Sequence, residues 1–209
     1  MDKKSYLLVC ILIISMALIV PQGALAKDPI KIGFLAPLAG SRAQMGQDMA
    51  AGWEMALKEA DYKAGGRTIE FIAEDEGTPN LAVTKARKLI NHDKVALAGG
   101  IFSSSVAYAV APVFTEANVP FIITGTNAND VTQRKASKAV IRVNAAGSQV
   151  CHVAGDYAYV ADDESGLRII GWEHAFGQES ISAFLRVFEE AGGKVIQRIY
   201  VPRKTLDFG

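Results

Sequence analysis

From Ile30 onward the chain alternates between two hydrophobic rhythms. Short continuous apolar runs, such as IKIGFLAPL (Ile30–Leu38), carry no helical period and read as buried strands. Between them lie longer stretches whose apolar residues recur every three to four positions. Met49, Trp53, Ala56, Leu57 and Ala60 form one such stripe and predict a helix over Gly46–Ala60. Ala82, Val83, Ala86, Leu89 and Ile90 share a face within a second helix, Asn80–Asn91, with Lys85, Arg87 and Lys88 pointing away and Pro79 in its first turn. Further helices are predicted at Ser103–Ala117, Ser148–Val160 and Gln178–Ala191. The last of these carries the stripe Ile181, Phe184, Leu185, Phe188 and is closed by Gly192-Gly193. The remaining strands fall at Thr68–Ala73, Val95–Ala98, Pro120–Thr124, Val140–Val143, Leu167–Gly171 and Lys194–Val201. Strands alternating with helices at this spacing imply βαβ units and an α/β fold with doubly wound parallel sheets.

Two segments break the rhythm. Polar Gly125–Ala139 (GTNANDVTQRKASKA) reads as the passage between two lobes, the first taken as 27–143 and the second as 144–209. At the other break, Lys3 and Lys4 precede an apolar run, Tyr6–Val20, and the small-residue ending PQGALA. This is the pattern of a secretory signal peptide over residues 1–26, with an apolar run short for a bilayer span. Once it is removed, no direct membrane insertion is expected. Cys10 would leave with it. Of the two cysteines only Cys151 would then remain, so no intrachain disulfide is expected. The final strand has no helix after it, which predicts an incomplete second lobe and a chain that is part of something longer. A chain with both lobes incomplete is expected to bind its ligand weakly or not at all, and to be poorly stable.

Charge narrows the partners. Lys and Arg total 22 and so do Asp and Glu, giving a formal net charge of zero. Without a basic excess, nucleic acid and an anionic membrane surface are not expected as partners.

In a parallel α/β sheet, ligands gather where strand carboxyl ends meet helix N-termini. Three such junctions are rich in Gly, Ser, Thr or Asn: PLAGSRAQMG (Pro37–Gly46), GGIFSSS (Gly99–Ser105) and TGTNAND (Thr124–Asp130). The serines Ser103–Ser105 have three readings. One of them caps the helix; one is a hydrolytic nucleophile; or hydroxyls and helix N–H groups together cradle a carboxylate. The flanks do not fit G-x-S-x-G, and only His92, His152 and His174 are available for a triad. Cys151-His152 are adjacent on a helix and point about 100° apart, a poor nucleophile–base pair. No catalytic residues are assigned. The histidines lack metal-ligand spacing, and no glycine pattern matches a phosphate loop, so no metal and no cofactor are expected. The cluster Glu74-Asp75-Glu76 at a strand end reads as the cap of a turn or of the next helix, with cation binding as the competing reading.

The ordered series IKIGFLAPLAG…MGQDMAAGWEMAL, AGG (Ala64–Gly66), IEFIAEDEGTPNLAVTKARKLI, ALAGGIFSSSVAYAVAPVFTEANVPFI, TGTNANDVT, GWEHAFGQES and TLDFG resembles the type I periplasmic substrate-binding proteins of ABC transporters. Within them it is most similar to the branched-chain amino-acid (Leu/Ile/Val-binding) family. The resemblance implies a two-lobed receptor that closes on a small ligand and presents it to the membrane permease of an ABC importer. It places Ser103 and Ser104 on the ligand's polar head, Gly125, Thr126 and Asn127 in the adjoining loop, and Phe176 over the ligand from the second lobe. Phe176 stands where the family often has Tyr, Met45 where an aromatic often occurs, and Phe102 where some members carry a small residue or Cys. The resemblance implies a small carboxylate-bearing ligand, a branched-chain or other apolar amino acid or an aromatic or aliphatic acid, and these departures favour a bulkier or more apolar one, such as an aromatic or aliphatic carboxylate without an amino group. The same fold also serves as the ligand-binding part of signalling receptors, and a secreted α/β hydrolase is the remote alternative.

Overall fold

The computed structural model describes residues 28–161, 166–202 and 205; the leader pattern at 1–26 and the closing TLDFG, apart from Thr205, lie outside them. The apolar run after Pro29 forms β1 (Ile30–Ala36), buried from Ile32 onward. It is followed by a 3₁₀ turn at Gly40–Arg42 and α1 (Ala43–Glu59). A hairpin of β2 (Lys63–Ala64) and β3 (Arg67–Asp75) comes next. That hairpin was not read from the sequence, although Gly65-Gly66, both at positive φ, supply the turn it needs. Then come α2 (Pro79–Lys88), a π turn over Leu89–Asp93, β4 (Leu97–Gly100), α3 (Ser104–Glu116) and β5 (Phe121–Ile123).

The strands lie in the order β2-β3-β1-β4-β5-β6, where β6 is Val140–Arg142. All neighbours are parallel except the β2–β3 hairpin. The segment 125–139, read as a passage out of the first lobe, instead returns to it through β6. The chain crosses over only afterwards, into α4 (Gly147–Ala161), β7 (Leu167–Trp172), α5 (Ala175–Glu190) and β8 (Val195–Val201). β7 and β8 form a separate parallel pair among the described residues.

The core sits between the first sheet and helices α2 and α3. Leu35, Leu89, Ile101, Val106, Val110, Phe114, Phe121 and Ile123 are buried there, and the rings of Phe114 and Phe121 stack at 4.3 Å. Each such side chain withdrawn from water contributes about 1.5–3 kcal/mol. The stripe on α1 behaves differently: Leu57 is buried, but Met49, Trp53 and Ala56 line an open groove with Thr124.

From β1 the chain moves to β3 on one side and returns to β4 on the other. The carboxyl ends of β1 and β4 therefore diverge at a topological switch point, where a crevice forms. Close approach there depends on Gly100: its φ is +109°, and a Cβ would lie 2.1 Å from the Leu35 carbonyl oxygen.

Candidate functional site

Three loops at this edge and one segment of the second lobe enclose a cavity of ≈ 490 Å³. Arg42 enters from the loop after β1. Phe102 and Ser103–Ser105 enter from the β4–α3 junction, and Gly125 and Asn127 from the loop after β5. Trp172, His174 and Phe176 face them from the β7–α5 junction. The volume lies within the ~300–1,000 Å³ of small-molecule sites.

The acidic cluster organises this edge. Asp75 accepts hydrogen bonds from the Leu38 and Ala39 N–H groups (2.7 and 3.2 Å), fixing the loop after β1. Glu76 is fully buried; Phe102 N–H donates to its Oε2 (2.8 Å) and Ser103 N–H to its Oε1 (3.2 Å). Burial pushes the Glu76 carboxyl up, against the pull of the Phe102 N–H, the Arg42 charge and the Ser103 N–H. Glu74 faces away and pairs with Lys85 and Lys88, both at 2.7 Å. The cluster thus binds backbone and lysines, the structural half of its two readings, but it holds loops and a helix flank where a helix cap was expected. Among the described residues no group of three or more His, Cys, Asp or Glu could hold a metal ion.

The serines also differ from the capping expectation. Ser103 occupies the N-cap position of α3, yet its hydroxyl makes no capping bond. Glu76 has taken the Ser103 and Phe102 N–H groups, so the cradle begins one residue later than the sequence suggested. The N–H groups of Ser104, Ser105 and Val106, in the first turn, have no carbonyl partner within the helix. Ser104 is buried and its Oγ lies 2.8 Å from Thr126 Oγ1, itself buried and accepting from the Ala128 N–H at 3.3 Å. Thr126 therefore braces Ser104 from behind and does not line the cavity.

Ser103, Ser104, Gly125, Asn127, Phe102 and Phe176 come together around one cavity; Thr126 lies behind it, and Met45 is half exposed on α1, outside the lining. Asn127 is also held structurally, its Nδ2 donating to the Ala145 carbonyl at 2.7 Å. The sequence expectations placed none of Arg42, Ser105, Trp172 and His174 on the ligand. All four lie in quoted loops, and the signal was the cation in PLAGSRAQMG and the ring-rich GWEHAFG. His174 Nδ1 accepts from the Gly177 N–H (3.3 Å), capping α5, and its ring stacks near Phe176 at 6.3 Å. Cys151 and His152 lie on α4, where His152 Nε2 is 2.9 Å from Arg186.

A strap crosses between the lobes beside the cleft. Glu179 of α5 accepts from the Tyr108 hydroxyl and from the Asn129 N–H (3.0 Å), while the Tyr108 hydroxyl accepts from the Asp130 N–H (3.1 Å). Burial and the bond to Glu179 raise the Tyr108 hydroxyl well above the usual phenol range.

Comparison with known proteins gives consistent results. The periplasmic binding protein family matches residues 29–209. The Leu/Ile/Val-binding protein homolog 6 of Brucella abortus (strain 2308) is 26% identical over 185 residues, covering 87% of this chain and 46% of that protein. The chain thus spans about half the length of the curated relatives it matches. Among solved structures, an ABC transporter substrate-binding protein from Sphaerobacter thermophilus superposes with a TM-score of 0.73 at 36% identity, covering 87% of this chain and 50% of that one. An ABC-transporter solute-binding protein from R. palustris in complex with benzoate gives 0.76 at 29% identity, over 86% and 50%.

Proposed function

The chain belongs to the periplasmic binding protein family, and from that premise we propose that it serves as an extracytoplasmic receptor delivering a small carboxylate-bearing ligand to the permease of an ABC importer. The observation that carries this reading is the pairing of unlike walls in one cavity. An α3 N-terminus with the hydroxyls of Ser103 and Ser105 faces the aromatic side chains of Phe176 and Trp172. Helix N–H groups and hydroxyls suit a carboxylate, and the rings suit an apolar body. Ser103 takes the carboxylate with Ser104, braced by Thr126; Gly125 and Asn127 line the adjoining wall, and Phe176 with Phe102 covers the ligand.

The ligand class we favour is an aromatic or aliphatic acid, with branched-chain and other apolar amino acids next. The benzoate in the R. palustris relative is of that first class. Two features support an extracytoplasmic location: the leader pattern at 1–26 and the match to the periplasmic binding protein family. The reading assigns no catalysis: the serines that line the cavity lack the G-x-S-x-G flanks of a nucleophile elbow.

A thermal-shift panel on the product of the complete gene tests this reading. Benzoate and branched aliphatic acids are expected to raise Tm more than leucine, and leucine more than serine or glycine. Ser103→Ala should abolish most of the benzoate shift while leaving the ligand-free Tm within about a degree, since the replaced hydroxyl caps nothing. A preference for small polar amino acids would overturn the ligand class, and turnover of an ester or amide would overturn the receptor assignment.

A further inference from the structure

Arg42 is the only Lys, Arg, Asp or Glu among the residues lining the cavity. Its guanidinium carries five N–H donors in a planar fork that matches a carboxylate. Among the described residues none of these donors is engaged in a hydrogen bond or an ion pair. The carboxylate of Glu76 feels the Arg42 charge but does not pair with it at contact distance; its two oxygens accept from the Phe102 and Ser103 N–H groups. Arg42 instead rests over the Phe102 ring, 5.5 Å from its centroid, and is half-buried. The two residues come from the loops after β1 and β4, the strands flanking the switch point, so the ring holds the cation at the crevice mouth.

A structural arginine pairs or extends into water. This one makes no pair and is held over a ring at the cavity it shares with the α3 N-terminus. Resting on the reading of the cavity as a carboxylate site, we infer that Arg42 is a specificity-determining residue that grips the ligand's carboxylate and makes the site select anions over neutral isosteres. Phe102 is its positioning residue. The cavity carries no described acidic side chain, so an ammonium group on the ligand would meet Arg42 with no counter-charge on this wall.

Benzoate and benzamide, of nearly the same shape and differing in charge, separate this role from a merely structural one. The product of the complete gene is titrated with both, using Trp172 fluorescence, alongside Arg42→Gln and Arg42→Lys. A charge-assisted bond corresponds to roughly a 10- to 150-fold change in affinity. Arg42→Gln is therefore expected to weaken benzoate by that factor and benzamide by less than about threefold. Arg42→Lys, which keeps the charge but loses the fork, should fall between Gln and wild type. Equal losses for benzoate and benzamide would make Arg42 structural and overturn the inference, as would unchanged benzoate affinity in Arg42→Gln. In both cases wild-type benzoate binding would leave the receptor reading standing. Wild type binding neither probe would overturn the inference and the aromatic ligand class, while a response to aliphatic acids or leucine in the thermal-shift panel would keep the receptor reading.

Discussion

Among the described residues, the two lobes bring different packing to the cleft. In the first, six strands are packed against helices, and Phe34, Leu35, Ile101, Phe114, Phe121 and Ile123 are completely buried. In the second, two strands carry α5 on one face, where Ile181, Leu185 and Phe188 are buried. Ile170, Trp172, Ile196 and Tyr200 are each 39% exposed or more. The division matches what each half brings to the cleft. Hydrogen-bonding groups are directional and lose affinity if they must be ordered on binding, so the serines and Arg42 sit on the well-packed lobe. Apolar contact is non-directional, and the described part of the second lobe contributes rings, Trp172 and Phe176.

The largest expected effect tests that contrast directly. The sequence has two tryptophans, Trp53 on α1 and Trp172 on β7, one in each lobe. With Trp172→Phe or Trp53→Phe as background, urea unfolding followed by fluorescence reports one lobe at a time. Trp172 is expected to change at lower urea than Trp53. Adding Phe114→Ala should remove about 3–5 kcal/mol from the Trp53 transition. Adding Phe188→Ala should act chiefly on the Trp172 transition. Coincident transitions that both variants shift equally would mean a single cooperative unit.

An intermediate effect separates positioning from covering. Removing the Glu76 carboxylate leaves the Phe102 and Ser103 N–H groups without their partner inside the β4–α3 loop. Glu76→Ala is expected to cost about 1–3 kcal/mol in the Trp53 transition and to weaken carboxylate binding. Phe176→Ala, at a side chain 43% exposed, should change stability by less than about 0.5 kcal/mol and act on binding alone. Comparable stability losses in the two variants would erase the distinction between a rigid polar wall and a soft apolar one. The strap comes next. Tyr108→Phe removes a hydroxyl that joins Glu179 to the Asp130 N–H, and should cost about 1–2 kcal/mol. It should also raise the radius of gyration measured by X-ray scattering; no change in dimensions would mean that the strap does not hold the lobes together.

Hydrophobic period located twelve of the regular elements, because buried strands and amphipathic helices announce themselves through burial. The hairpin at Lys63–Ala64 escaped because both its residues are exposed and carry no period. The site was legible as three loops but not as partners. That the Ser103 N–H is already taken follows from Glu76 reaching the loop across 27 residues of sequence. The burial of Thr126 follows from its bond to Ser104, 22 residues away. Met45 falls outside because α1 begins at Ala43, which turns its side chain outward. Contacts of this range are set by topology and leave no local pattern. Arg42 is the opposite case: its residue type was visible, and only its lack of a partner, a tertiary fact, marks it.

The smallest effect concerns pH and again divides the lobes. Burial alone would raise the Glu74 carboxyl, but hydrogen bonds and charge from Lys85 and Lys88 outweigh it and hold the group below the usual carboxylate range. Asp93 is held low by its hydrogen bonds to His92 and Lys88. For an acid whose folded pKa is depressed, the stabilisation is fully present above the unfolded pKa and is lost as pH falls through the folded one. The Trp53 transition should therefore weaken below about pH 5, where unfolded carboxyls begin to bind protons. Glu74→Gln should lower stability by about 1 kcal/mol at pH 7 and by nearly nothing at pH 3, leaving a residual slope from Asp93. The second lobe has its own ion pair, Arg198–Glu189, but both partners are more than 40% exposed. Glu189→Gln should therefore leave the Trp172 transition unchanged at either pH, since solvent screens an exposed pair. A pH-dependent loss there equal to that of Glu74→Gln would show that the second lobe shields its charges as well as the first.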